Sequence, residues 1–136
     1  MTTAKVEYLG ELRTEATHTQ SASILITDAP IDNNGKGAAF SPTDLTATSL
    51  ASCMMTIMGI KVAAWQKSMV GTVATVKKVM YGEPRRIGEI HIHMQVPAND
   101  FTDKEKIALI QAAHHCPVAK SLHPDILQQI EIEFIA

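Results

Sequence analysis

Between Leu45 and Ile60 the chain carries no charge, and a helix over this stretch would be apolar on nearly every side. Leu50, Met54, Met55, Ile57 and Met58 mix with the small residues Ala47, Ala51, Gly59, Ala63 and Ala64, the pattern of a helix enclosed on several faces. Ser41-Pro-Thr-Asp44 predicts its start, with a hydroxyl cap, a proline at the first helical position and an acid in the first turn, and the helix is expected to reach about Gln66. The uncharged run falls short of the roughly 20 residues that cross a bilayer and contains Thr46, Thr48, Ser49, Ser52 and Thr56, so it predicts a buried helix rather than a membrane span.

Elsewhere the period is near two. Lys5 to Thr17 and Ser23 to Thr27 read as strands separated by polar His18-Thr-Gln-Ser21, and Asp32-Asn-Asn-Gly-Lys-Gly37 reads as a loop suited to positive φ. Val73 to Tyr81 and Ile87 to Val96 alternate on either side of Gly82-Glu-Pro-Arg-Arg86, with Ile90, Ile92 and Met94 opposite His91, His93 and Gln95, which predicts a hairpin. Thr102-Asp-Lys-Glu105 matches a capping box for a helix through about Ala113, and Cys116-Pro117 opens a further turn that ends at His123-Pro124. Ile126 to Ile135 is a last strand. No repeat or linker interrupts the order, so residues 1–136 are expected to form one α+β domain, ββα ββ αα β.

The 136 residues can bury a core without staples, and a net charge of −2 offers no basic footprint for nucleic acid. The N-terminal stretch lacks the apolar core of a signal peptide, so the chain is expected in the cytoplasm, where a disulfide is more often transient than structural. Neither nucleic acid nor membrane is an expected partner.

Only two cysteines exist, Cys53 in the apolar helix and Cys116 in His114-His-Cys-Pro-Val-Ala-Lys120. A thiol beside positive charge or at a helix start loses its proton more easily, and a pair of thiols can cycle through a sulfenic acid and a disulfide. The residues alone leave open a second reading, two inert thiols in a core.

Ser41-Pro-Thr-Asp-Leu45, Ala51-Ser-Cys53 on a long apolar helix, and His114-His-Cys-Pro-Val118 together resemble the OsmC/Ohr family, the osmotically inducible and organic hydroperoxide resistance proteins. The resemblance spans nearly the whole chain. It implies an OsmC-like fold in which long central helices are wrapped by sheets in an intertwined homodimer. It also implies a peroxidatic Cys53, a resolving Cys116, and Arg13, in Leu9-Gly-Glu-Leu-Arg-Thr14, as the cation that activates the thiolate. The start of a helix at Cys116 is expected to favour its thiolate as well.

One departure stands out. Where family members with peroxidase activity carry an acid after the helix-opening proline, this chain has Thr43. Asp44 lies next door but, in a continuous helix, on the face roughly opposite Cys53. Glu11 or Glu15 are the other residues expected to orient the arginine, and His115 is placed to tune Cys116.

Met54, Met55 and Met58 flank Cys53 in sequence and are expected to line a pocket suited to an alkyl hydroperoxide. His91 and His93, and the cluster His114, His115 and Cys116, offer soft donors, yet no Cys-x-x-Cys or His-Glu-x-x-His spacing appears, so neither a metal nor another cofactor is expected. The expectation is a thiol-dependent peroxidase in oxidative-stress defence, recharged by a small or protein-bound dithiol. The alternative is a non-catalytic dimeric module that binds a small apolar or electrophilic ligand in the same pocket.

Overall fold

The computed structural model describes residues 1–98 and 100–136 and divides into two compact units, Met1–Thr46 and Ala47–Ala136. The first holds an antiparallel sheet in the order β1 (Ala4–Gly10), β2 (Arg13–His18), β3 (Ile24–Asp28). The stretch from Lys5 to Thr17, expected as one strand, is therefore a hairpin. Its turn residues Glu11 and Leu12 both take positive φ, 53° and 65°, as a two-residue hairpin turn of the primed type requires. Such turns usually announce themselves by Asn-Gly or Asp-Gly. Here non-glycine residues carry the strain, so the alternation ran on without visible punctuation.

Beyond β3 the loop makes a single 3-10 turn at Ile31–Asn33, with Asn34 left-handed at φ 67°. At Gly35 any side chain would run into the Ala29 carbonyl, which explains the glycine. The helix α1 (Pro42–Ala64) then starts as expected. The Asp44 amide donates to Ser41 Oγ at 3.0 Å, and the Ser41 amide donates to Asp44 Oδ2 at 3.0 Å, a reciprocal cap in which aspartate does the work more usual for glutamate.

The second unit contains the rest of α1, then β4 (Val73–Tyr81), β5 (Arg86–Pro97), α2 (Asp103–His114), α3 (Pro117–Ser121) and β6 (Leu127–Ile135). Its sheet runs β4-β5-β6, with β4 antiparallel to β5, and β5 parallel to β6. The expected hairpin and last strand are thus present. Alternation along β5 sends Ile90, Ile92, Met94 and Val96 into the core, where they join Leu50, Met54, Met58 and Val62 of α1 and Leu109 and Ala113 of α2. The capping box at Thr102 and Glu105 closes in both directions. In length and apolar character α1 could cross a bilayer, but one of its faces is built into this core. Its other face, with Ser52, Thr56 and Ile60, is uncovered within the single chain, and Ile60 is 65% exposed.

Candidate redox site

Cys53 sits on α1 beside Met54, partly buried, one residue off the core-facing stripe. Cys116 arrives from a different direction. The helix α2 ends at His114 with His115 as its C-cap, the backbone at Cys116 turns extended with φ −71° and ψ 149°, and Pro117 begins α3 with its ring already set for helix. That makes Cys116 the N-cap of α3, and its Sγ accepts the Ala119 amide at 3.4 Å. The side chain is 0% exposed. Both thiols are free, and Cys53 packs against the core cluster that holds Cys116, near enough to raise the Cys116 pKa.

The expected thiolate at Cys116 is not what the structure favours. Burial pushes its pKa above the ordinary value, and the adjacent Cys53 sulfur pushes the same way. The amides of Ala119 and Val118 pull it down, but not far enough. Desolvation of a fully enclosed sulfur outweighs two amide dipoles from a helix only five residues long. In this reduced state the Cys116 proton is held.

His115 does not contribute to that balance. Its Nδ1 donates to the Gln111 carbonyl at 2.7 Å, which ties the ring back onto its own helix. Met54 and Met58 are core residues, not pocket lining, because both point from α1 toward β5. Met55 lines a cleft of about 420 Å³ with Gly59, Val62, Met69 and Val70. Among the described residues no cluster of histidine, cysteine, aspartate or glutamate could hold a metal, and the strand histidines are engaged in pairs, His91 with Glu89 at 2.7 Å and His93 with Glu133 at 3.0 Å.

Arg13 lies in the first unit, at the start of β2. It is paired neither with Glu11 nor with Glu15. Glu11 bonds Lys36, and Glu15 sits within β2 opposite Ile26. The carboxylate on Arg13 is Asp28: Nε donates to Oδ1 at 2.7 Å and Nη2 to Oδ2 at 2.9 Å. This contact holds the Asp28 carboxyl below its ordinary pKa and raises that of Arg13. Asp44, the other candidate acid, spends its Oδ2 on the α1 cap. Sequence reasoning missed Asp28 because the signal lies in strand register: Arg13 and Asp28 are direct cross-strand neighbours, a pairing visible only once β2 is recognised as separate from β1. Arg86 donates to the carbonyls of Gly82 and Pro84 at 2.8 and 2.9 Å and lies over the Tyr81 ring.

The fold is α+β and carries two free thiols, Cys53 on a long helix and Cys116 at the start of a short one. Residues 35–131 match the family model described as OsmC-like protein, and the chain belongs to that family. No curated protein sequence matches it. It is similar to a Psychrobacter arcticus 273-4 crystal structure named provisionally for osmotic stress induction and a detoxification response, with 54% identity, a TM-score of 0.93, and 98% of this chain and 96% of that one covered. The organic hydroperoxide resistance protein OsmC of Legionella pneumophila shares the fold at 18% identity, TM-score 0.73, with 98% of each chain covered. An organic hydroperoxide resistance protein of Elizabethkingia anophelis, with thiocyanate bound, does so at 16% identity, TM-score 0.74, covering 99% of this chain and 98% of the other.

Proposed function

We propose that the protein is a thiol-dependent peroxidase for organic hydroperoxides, acting in oxidative-stress defence in the cytoplasm. Family membership supports a redox role in stress. The observation that carries the specific reading is the packing of Cys53 against the core cluster that holds Cys116, close enough for one thiol to raise the pKa of the other. The Cys53 thiolate attacks the distal oxygen of the hydroperoxide, the O–O bond breaks, and the alkoxide takes up a proton to leave as alcohol. Cys53 is left as a sulfenic acid. The Cys116 sulfur then attacks it, the disulfide forms, and hydroxide leaves with the Cys116 proton as water. A small or protein-bound dithiol reduces the disulfide, becomes oxidised itself, and returns both thiols.

Arg13 has the role the resemblance gives it, holding the thiolate and the departing oxygen with a fixed guanidinium. A second copy of the chain covers the open face of α1, so the working form is a homodimer. Half-buried Met55 is available to an alkyl group. The test is turnover with a dithiol reductant, comparing an alkyl hydroperoxide with hydrogen peroxide. The alkyl substrate is expected to react faster. Absence of consumption of either peroxide would sink the peroxidase and leave the ligand-binding module.

A further inference from the structure

Asn34-Gly35 takes no part in the thiol chemistry, yet the pair carries a reactivity of its own. The backbone nitrogen of Gly35 can attack the side-chain carbonyl carbon of Asn34. The new N–Cγ bond closes a five-membered imide, the Cγ–Nδ2 bond breaks, and ammonia leaves with the proton of the Gly35 amide. Water then opens the imide to aspartate or isoaspartate. Glycine favours the attack because no side chain hinders its nitrogen or its rotation. Asn34 is exposed, so water reaches it.

The loop holds this pair in an unreactive shape, through contacts that lie wholly within the unit Met1–Thr46. Asn34 has φ 67° and ψ 10°. A ψ so near zero almost eclipses the Gly35 nitrogen with the nitrogen of Asn34 itself, and so sets it about 120° around the Cα–C bond from Cβ. The imide needs that nitrogen beside Cβ. Bringing it there means moving Gly35, whose amide donates to the Pro30 carbonyl at 2.9 Å, beside the Asn33 amide on the same acceptor at 2.9 Å. The proton that the attack must release is held in that bond. Gly35 also lies so close to Ala29 that an added Cβ would fall 1.8 Å from the Ala29 oxygen, and the Gly37 amide closes the loop onto the same oxygen at 3.2 Å.

We propose that Asn34 is a deamidation site gated by this loop: closed, the loop blocks formation of the imide, and each opening exposes the pair to it. Conversion adds a negative charge to the loop as aspartate, or lengthens its main chain by one carbon as isoaspartate. Neither product returns to asparagine by itself, so the chain keeps a chemical record of how often the loop has opened.

The test compares deamidation rates in the full chain. Wild type and Gly37→Ala are incubated in mildly alkaline buffer, each folded and in urea, and the peptide containing Asn34 is followed by mass spectrometry. Folded wild type is expected to convert about tenfold or more slowly than the unfolded chain, the factor being set by how seldom the loop opens. Gly37 is left-handed at φ 62°, and a Cβ there would lie 2.8 Å from Ile31 Cγ1, so Gly37→Ala strains the loop and leaves Asn34 and Gly35 themselves unchanged. Its folded rate should rise about threefold or more toward the unfolded rate, while the two chains convert equally in urea. Equal folded and unfolded rates in wild type would overturn the gate, and so would a folded Gly37→Ala no faster than wild type. Absence of conversion in urea would overturn the site itself. Should Gly37→Ala not fold, hydrogen exchange of the Gly35 amide in wild type decides. Protection as large as the slowing of deamidation supports the proposal, and any lesser protection overturns it.

Discussion

The Cys116 sulfur caps α3 by accepting the Ala119 amide at 3.4 Å, and the neighbouring Cys53 thiol helps to raise its pKa. The two thiols are therefore unequal in a way their sequence neighbourhoods do not suggest. One sits partly open on a helix face, the other is enclosed at a helix start.

That inequality predicts a division of labour. Cys53→Ser should reduce peroxide turnover to background, whereas Cys116→Ser should allow one round of oxidation, visible as added oxygen in the intact mass, and then stall. Alkylation of the native protein should modify Cys53 well before Cys116, with the difference vanishing in urea. Full multi-turnover activity in the Cys53 variant would contradict the mechanism.

Burial of Cys116 also makes a pH prediction. Its folded pKa is raised above the ordinary 9.0, mainly by desolvation. Below that value the thiol is protonated in both folded and unfolded chains, and its contribution is fully present. Above it the unfolded chain ionises first, so the contribution is lost as pH rises toward the folded pKa. Urea unfolding of wild type and Cys116→Ser should show the wild-type advantage shrinking as pH rises past 9.0. An advantage independent of pH would show that the thiol is not desolvated.

The uncovered face of α1 predicts a dimer in solution. Sedimentation at micromolar concentration should show two copies associated, and Ile60→Asp should weaken that association by about 2 kcal/mol or more if the residue lies at the centre of the contact. Ile60 is 65% exposed in the single chain, so the substitution should hardly affect the protomer itself. A stable compact monomer of the wild-type chain would refute the intertwined arrangement.

Gly88 offers a test of the second sheet. It falls where the β4-β5 register shifts, and an added side chain would run into the Tyr81 ring, whose hydroxyl donates to Glu89 at 2.7 Å. Gly88→Ala should cost about 1–3 kcal/mol in urea unfolding. At Gly82 a side chain would meet open space, and Gly82→Ala should be close to neutral. Equal effects at the two positions would argue against the Tyr81 packing.

By itself the sequence determined whatever is written in neighbouring residues. The start of α1 at Ser41-Pro-Thr-Asp44, the capping box at Thr102 and Glu105, and the buried alternation of Ile90, Ile92 and Met94 each depend on residues within a few positions of one another, so their periods and caps could be read directly. The family was also legible, through the motifs around the two cysteines. Tertiary structure decided the rest. The turn at Glu11 and Leu12 carries no glycine signature. Asp28 meets Arg13 only through strand register, and the separation of core Met54 and Met58 from cleft-lining Met55 depends on where β5 lies. Cys116 makes the physical reason plainest. A helix start predicts a thiolate from local dipoles, but pKa answers to the whole surrounding volume, and only folding shows that this sulfur is sealed from water.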